Sequence, residues 1–200
     1  MGPMHLALGQ APIILGDIEK NLEIMEKLIK SAQEKCDGNL DLIAFPELFI
    51  TGYNLRDNYS KVAEEIPSSS KAQKGIINLS KKYNVHIATG IVEKSGKSLF
   101  NSAIMIGPDG YIGHYRKQFL PNFGPFEEKL FFGEGDQTPV FETPFGKIGV
   151  QICYDLFFPE TSMGLARNGA ELILNLAASP TTSRPLFHRV IPARAIETTC

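Results

Sequence analysis

Several short segments of this chain are apolar on both faces that a strand presents, and that property leaves few folds open. Leu42-Ile43-Ala44-Phe45 and residues 85–92, 99–106 and 148–152 share it. A strand with one wet face alternates apolar and polar residues, whereas a strand without one must be covered on both sides. The segments around these strands predict what covers them. Residues 5–10 read as a first strand, and Asp17 as the N-cap of a helix whose apolar face is Ile18, Leu22, Met25, Ile29 and Ala32. Ser68-Ser69-Ser70 predict the cap of a second helix, with Ile76, Leu79 and Tyr83 on one face. Ser95-Gly96-Lys97 and Pro108-Asp109-Gly110 are turn sequences that join residues 85–92, 99–106 and 111–117 as hairpins. A long loop follows over residues 119–135, then Val140-Phe141-Glu142 and a strand from Gly146. Pro159 suits the first turn of a helix, residues 171–176 form another strand, and residues 185–197 a final helix. Helix–strand alternation at both ends, with hairpins between, predicts a mixed α/β fold. One face of its sheet is covered by helices and the other by a second sheet.

The 200 residues, 43% of them hydrophobic, suffice for a single domain over residues 1–200. Met1-Gly2-Pro3 reads as an added tripeptide ahead of a natural Met4. A net charge of −2 provides no field to hold nucleic acid or an anionic membrane, and no apolar run approaches the ~20 residues of a membrane helix. The three cysteines, Cys36, Cys153 and Cys200, are sparse and lack CxxC spacing. They predict neither a disulfide framework nor a thiolate metal site, and suit a reducing, cytoplasmic compartment. Residues 193–200 form a helical stretch with neither a C-cap nor a polar tail, and read as a cut within a domain.

Three polar residues stand at the ends of apolar strands: Glu47 after Leu42-Ile43-Ala44-Phe45-Pro46, Lys117 after Tyr111-Ile112-Gly113-His114-Tyr115-Arg116, and Cys153 after Ile148-Gly149-Val150-Gln151-Ile152. Each has a plain structural reading: a loop-capping carboxylate, a solvated strand end and a small buried hydrophobe. Together they form a chemical set. A thiol with a reference pKa of ~8.5 becomes nucleophilic when a cation stabilises the thiolate and a carboxylate takes its proton. Lys117 could supply the first role and Glu47 the second. The same lysine, with the Tyr154 backbone N–H, could then hold the oxyanion formed when sulfur attacks a carbonyl.

Phe45-Pro46-Glu47 with Thr51-Gly52-Tyr53, Tyr115-Arg116-Lys117 with Leu120-Pro121, and Ile152-Cys153-Tyr154-Asp155 with Phe158-Pro159-Glu160 together resemble the nitrilase superfamily of carbon–nitrogen hydrolases. Asn101-Ser102-Ala103, Asn175-Leu176-Ala177-Ala178-Ser179-Pro180 and Ala193-Arg194-Ala195-Ile196-Glu197 match further signatures, so the resemblance spans essentially the whole chain. It implies an αββα four-layer sandwich, here lacking a C-terminal part whose strands complete one sheet. It also implies a Glu47-Lys117-Cys153 triad without metal or cofactor, and pairing into a homodimer or larger homo-oligomer. A second glutamate is implied in a Phe-x-Glu pattern on the long loop. Phe126-Glu127-Glu128 supplies it as Glu128, with Glu127 as the solvated competitor.

The implied reaction is hydrolysis of a small amide or N-carbamoyl compound through a thioester. Tyr154-Asp155 after the cysteine resembles amidase and N-carbamoyl-hydrolase branches, whereas true nitrilases usually carry Trp-Glu there. Residues 117–124 resemble the glutaminase domain of glutamine-dependent NAD synthetases, so a glutaminase-type amidase stays open as an alternative, as does a nitrilase. Phe157 stands where many amidase-like members carry Arg, Thr198 where Asn usually follows Ile-Glu, and Leu186-Phe187 where Trp is common. Tyr53, Phe123, Tyr154 and Ser179 are the expected substrate-binding residues. Phe49, Phe126 and Phe187 could line an apolar pocket or simply fill the core. A Cys153-His188 dyad is the rival active site, though it leaves Glu47 and Lys117 without a role. A catalytically silent scaffold is the non-enzyme alternative, and it gives no reason to keep those two charges.

Overall fold

The computed structural model describes residues 4–68 and 70–200, so Met1-Gly2-Pro3 and Ser69 of the expected helix cap lie outside the described residues. In chain order the elements are β1 (Leu6–Leu8), α1 (Ile18–Lys35), β2 (Leu42–Ala44), α2 (Tyr59–Val62), β3 (Glu64–Glu65), α3 (Lys71–Tyr83), β4 (His86–Ser95), β5 (Ser98–Gly107) and β6 (Gly110–Arg116). They continue with α4 (Glu128–Phe131), β7 (Val140–Thr143), β8 (Gly146–Ile152), α5 (Pro159–Arg167), β9 (Leu172–Leu176) and α6 (Arg184–Thr198). Short 3-10 turns precede α2, follow β8 and precede α6.

One sheet runs in the order β1-β2-β4-β5-β6, with β3 beside β4; the second runs β7-β8-β9. β1, β2 and β4 are parallel, while β4-β5 and β5-β6 form the expected antiparallel hairpins. β7 is antiparallel to β8, and β9 is parallel to it.

Alternation along each strand sorts side chains into two cores. Ile43, Ile87, Ile91, Ile104 and Ile106 pack with Met25 and Ile29 of α1 and with Ile76 of α3. Leu42, Ala44, Ala88, Ala103 and Met105 instead meet Ile148, Val150, Ile152, Leu174 and Leu176 of the second sheet. α5 closes that sheet's outer face, where Ser162 Oγ donates to Gln151 Oε1 at 2.8 Å. α6 packs beside α5, and Arg194 Nε donates to the Leu156 carbonyl at 2.9 Å. The layers are therefore helix, sheet, sheet, helix, the αββα sandwich that strands apolar on both faces require. Leu8 shares the inner-facing register of Ala44 yet is 70% exposed, because the three-stranded sheet does not extend over β1.

One local reading changes. The long loop after β6 contains a helical turn, α4, which begins at Glu128. His86 and His114, on the hairpin strands, are half-buried. His86 packs edge-on against Phe145, and His114 hydrogen-bonds Tyr111 at 2.5 Å. The helix caps follow the sequence, since Asp17 accepts from Lys20 N and Ser70 from Gln73 N. α6 ends at Thr198, with Thr199 in the left-handed conformation.

Gly90 fixes how closely the turn after β2 approaches β4. Its N–H donates to the Pro46 carbonyl and its carbonyl accepts from Ile50 N, both at 3.2 Å. A Cβ there would overlap the Leu48 nitrogen and stand 2.7 Å from the Glu47 carbonyl carbon. Gly90→Ala should therefore cost about 1–3 kcal/mol as an overpacking change, with about 2–4 °C of melting temperature lost per kcal/mol. Thermal unfolding followed by circular dichroism tests this; an unchanged midpoint would mean the turn can move away freely.

Candidate active site

The ends of β2, β6, β8 and β9 converge between the sheets. Phe45 N donates to Ala88 O at 2.8 Å, which carries the strand direction one residue past β2. The chain then turns sharply through Leu48, which is fully buried with φ 50°, a conformation that costs a non-glycine residue about 1–2 kcal/mol. Glu47, just before that turn, is 2% exposed and directed inward. Lys117 N donates to Asn101 O at 2.9 Å, so the lysine extends the β5-β6 ladder by one residue. On the opposite face of that strand end, Arg116 Nε reaches both Glu93 oxygens at 3.0 Å, and Ser102 Oγ donates to the same carboxylate at 2.6 Å. This clamp holds the backbone from which Lys117 projects.

Lys117 is fully buried, and its Nζ lies 2.7 Å from Glu47 Oε1 and 2.8 Å from Glu128 Oε1. Tyr53 OH donates to Glu128 Oε1 at 2.5 Å. Asn101 Nδ2 donates to Glu47 Oε1 at 2.8 Å and, more weakly, to Glu128 Oε2 at 3.5 Å. From the segment after β9, Ala178 N donates to Glu47 Oε2 at 3.0 Å. Ser179 Oγ, one residue on, is 3.1 Å from Cys153 Sγ.

Cys153 itself has φ 48° and opens the 3-10 turn Cys153–Phe157. A left-handed residue between a strand and a helical turn pushes its side chain out of the strand direction. The Tyr154 N–H lies in the first turn of that 3-10 helix, where N–H groups have no partner within the helix.

The electrostatics follow from two buried carboxylates around one buried ammonium. Burial alone would push the Lys117 ammonium down, but the Glu47 and Glu128 charges outweigh it and raise its pKa. The lysine therefore stays charged and cannot serve as a proton acceptor near neutral pH. Burial, with the Glu47 charge added, raises Glu128, which Lys117 and the Tyr53 hydroxyl partly offset. Burial and then the Glu47 charge push the Cys153 thiol well up, against the pull of Lys117 and Ser179. The resting sulfur is a neutral thiol.

Asp155 ties the two sheets together here. Its Oδ1 accepts from Phe119 N at 2.9 Å and Gln118 N at 3.2 Å, just after Lys117. Its Oδ2 accepts from Tyr115 OH at 2.7 Å and from Ile152 N at 2.9 Å, just before Cys153. One carboxylate thus fixes the lysine strand relative to the cysteine turn.

A cavity of about 250 Å³ opens beside the thiol, lined by Cys153, Ser179 and a mostly aromatic wall. Phe123 and Tyr154 belong to that wall. Tyr53 does not; it borders the larger cavity beside Glu47, and its hydroxyl donates to Glu128. Glu127 is the solvent-facing member of its pair, 3.9 Å from Arg56. Phe49 packs against Phe45 in the helix-side core, and Phe126, Phe157 and Phe187 line the cavity. His188 is exposed and pairs with Arg184 at 3.3 Å, so it does not reach the sulfur. Sequence reasoning gave no role in the site to Asn101 or to the Ala178 N–H. A buried amide in the middle of apolar β5 was the available signal, since such a group needs a polar partner.

A two-sheet sandwich with a thiol, an ammonium and two carboxylates buried between its sheets can be set against known proteins. The chain belongs to the carbon–nitrogen hydrolase family, whose pattern it matches over residues 5–200. It is 39% identical over 182 residues to the nitrilase of Pyrococcus abyssi, covering 90% of this chain and 65% of that protein. It is 33% identical over 178 residues to the glutamine-dependent NAD(+) synthetase of Aquifex aeolicus, covering 88% and 30%. The chain thus spans less than two thirds of the length of either relative. Among solved structures, Nit3 of Saccharomyces cerevisiae, a member of branch 10 of the nitrilase superfamily, matches with a TM-score of 0.86 at 27% identity. That match covers 98% of this chain and 72% of Nit3. A Glu-to-Gln mutant of the amidase from Nesterenkonia sp. AN1, showing the result of Michael addition of acrylamide at the active-site cysteine, matches with a TM-score of 0.83 at 25% identity, covering 98% and 76%.

Burial raises the Asp155 carboxyl from 3.8 to about 6, against its hydrogen bonds and the Lys117 charge. The folded state then binds this proton more tightly than the unfolded chain does. The contribution favours folding below about pH 4 and is lost as pH rises through about 6. At ~1.4 kcal/mol per unit it amounts to roughly 3 kcal/mol. Urea unfolding at a series of pH values should show that component in the parent protein and its loss in Asp155→Asn; parallel profiles would place the Asp155 ionisation at its ordinary value.

Proposed function

We propose that this chain carries the catalytic centre of an amidase-type carbon–nitrogen hydrolase acting on small linear amides or N-carbamoyl compounds. The observation that carries the reading is the Lys117 ammonium, 2.7 Å from Glu47 and 2.8 Å from Glu128, with a buried neutral thiol within their field. A neutral thiol needs a base at the moment of attack, and an ammonium that keeps its proton suits a developing oxyanion.

Glu47 takes the Sγ proton as sulfur bonds to the substrate carbonyl carbon. Lys117 and the Tyr154 N–H hold the oxyanion. The intermediate collapses with cleavage of the C–N bond, and Glu47 returns the proton to the leaving nitrogen, which departs as ammonia or amine. A thioester remains on Cys153. Water attacks it, giving a proton to Glu47; the C–S bond breaks, and sulfur recovers the proton as the acid leaves. Glu128, held by Tyr53, orients Lys117 throughout, and Ser179 positions substrate beside the sulfur.

The acrylamide adduct at the cysteine of the Nesterenkonia amidase supports a cysteine nucleophile in this fold. Tyr154-Asp155 favours amide over nitrile chemistry. The match to an NAD(+) synthetase keeps glutamine as the second candidate substrate. Exposed Leu186, Ile191 and Ile196 on α6 are compatible with the proposed homo-oligomer, and the free cysteines suit the proposed cytoplasmic setting.

Intact-protein mass spectrometry with simple amides should trap an acyl adduct on Cys153, and Cys153→Ala should release no ammonia. Lys117→Met should lower kcat by about 10²–10³-fold, the usual loss for one oxyanion donor. Ammonia release by Cys153→Ala at the parental rate would sink the scheme.

A further inference from the structure

We propose that the acyl portion of the substrate is uncharged and apolar, an alkyl or aryl carboxamide, and that the cavity beside Cys153 selects against a substrate bearing a carboxylate. This inference rests on the reading of Cys153 as the nucleophile.

Two cavities large enough for a substrate open beside the site. The larger, about 630 Å³, is bordered by Glu47, Tyr53 and Phe49, but Cys153 is not among its lining residues. A substrate carbonyl must meet the sulfur, so the acyl group belongs in the 250 Å³ cavity that Cys153 lines. There the rings form an unbroken wall. Phe126 contacts Phe123 (ring centroids 5.6 Å apart), Phe123 contacts Tyr154 (5.4 Å), Tyr154 contacts Phe157 (5.8 Å) and Phe157 contacts Phe187 (5.2 Å). Pro121 and Leu186 complete the apolar lining.

The polar groups in this lining are the Cys153 thiol, the hydroxyls of Ser179 and Ser183, and the Tyr154 phenol; no charged side chain is among the lining residues. Lys117 bridges Glu47 and Glu128, and Arg194 serves the Leu156 and Phe157 carbonyls and Glu197. Arg184, next to Ser183, is exposed, donates to His188 and is not among the lining residues. A substrate carboxylate would lose its hydration against aromatic faces with no counter-charge, whereas an alkyl or aryl group gains by leaving water. The volume, about eight waters at ~30 Å³ each, admits one ring or a short branched chain and little more.

Hexanamide and adipamic acid have similar lengths and differ in a terminal methyl against a carboxylate. Ammonia release should give a kcat/KM for hexanamide at least about 100-fold above those for adipamic acid, glutamine and N-carbamoyl-β-alanine. Along acetamide, butanamide and hexanamide it should rise about fourfold per methylene, the equivalent of ~0.8 kcal/mol each. Phe123 is the natural place to add a cation, because it belongs to the wall yet is 53% exposed. Phe123→Arg should move the hexanamide-to-adipamate ratio toward adipamate. Calorimetric binding of both amides to Cys153→Ala gives the same comparison without turnover. Equal or preferred use and binding of the charged amides would overturn this inference while leaving the hydrolase reading intact. Hydrolysis of no amide, with no acyl adduct on Cys153, would overturn both.

Discussion

A fully buried lysine is tolerable only where carboxylates neutralise it, and the architecture around Lys117 follows from that requirement. One ammonium between Glu47 and Glu128 still leaves an excess negative charge out of water. Neutral donors disperse it: Tyr53 on Glu128, the Ala178 N–H on Glu47, and Asn101 on both. These donors come from the loop after β2, from β5 and from the segment after β9, while Glu128 stands at the head of α4. Four distant parts of the chain are thereby fixed about one Nζ atom.

Burial first, and then the Glu47 charge, set the state of the sulfur. Ionising Cys153 would place a further negative charge out of water beside Glu47, so the thiol keeps its proton until a bond forms. Lys117 is correspondingly locked in its charged form. Proton transfer and electrostatic stabilisation thus fall to different groups, which suits a reaction that first creates and then discharges an oxyanion. The ion pair works only if the lysine strand and the cysteine turn keep their separation. Asp155 supplies that constraint by accepting from both sides of the sandwich, and the left-handed backbone at Leu48 and Cys153 is the strain that the packed sheets hold in place.

Much of the layering was readable in advance because strand and helix periods are local properties. The 4-3-4-3 apolar spacing from Ile18 to Ala32 lies in α1, and the turn sequences at Gly96 and Gly110 join β4, β5 and β6 as hairpins. Other features were not readable, because they depend on contacts between segments far apart in the chain. Asn101 is an ordinary strand residue until Glu47, 54 positions earlier, folds against it. Nothing local distinguishes the Ala178 amide, 131 positions from the carboxylate it serves. Phe126 and Phe187 are equally plausible as core; the packing of Phe126 on Phe123 and the approach of α6 to the turn after β8 make them a cavity wall.

By itself the sequence determined the layers and the order of the polar strand ends, since hydrophobic period and turn chemistry act over a few residues. It also determined that Glu47, Lys117 and Cys153 each end an apolar strand. Tertiary structure alone decided the rest: Lys117 lies between two carboxylates, Tyr53 serves Glu128 instead of lining the cavity, and the wall beside the sulfur is aromatic and uncharged. Those outcomes depend on distances of about 3 Å between atoms that burial forces together, and no local pattern encodes such distances.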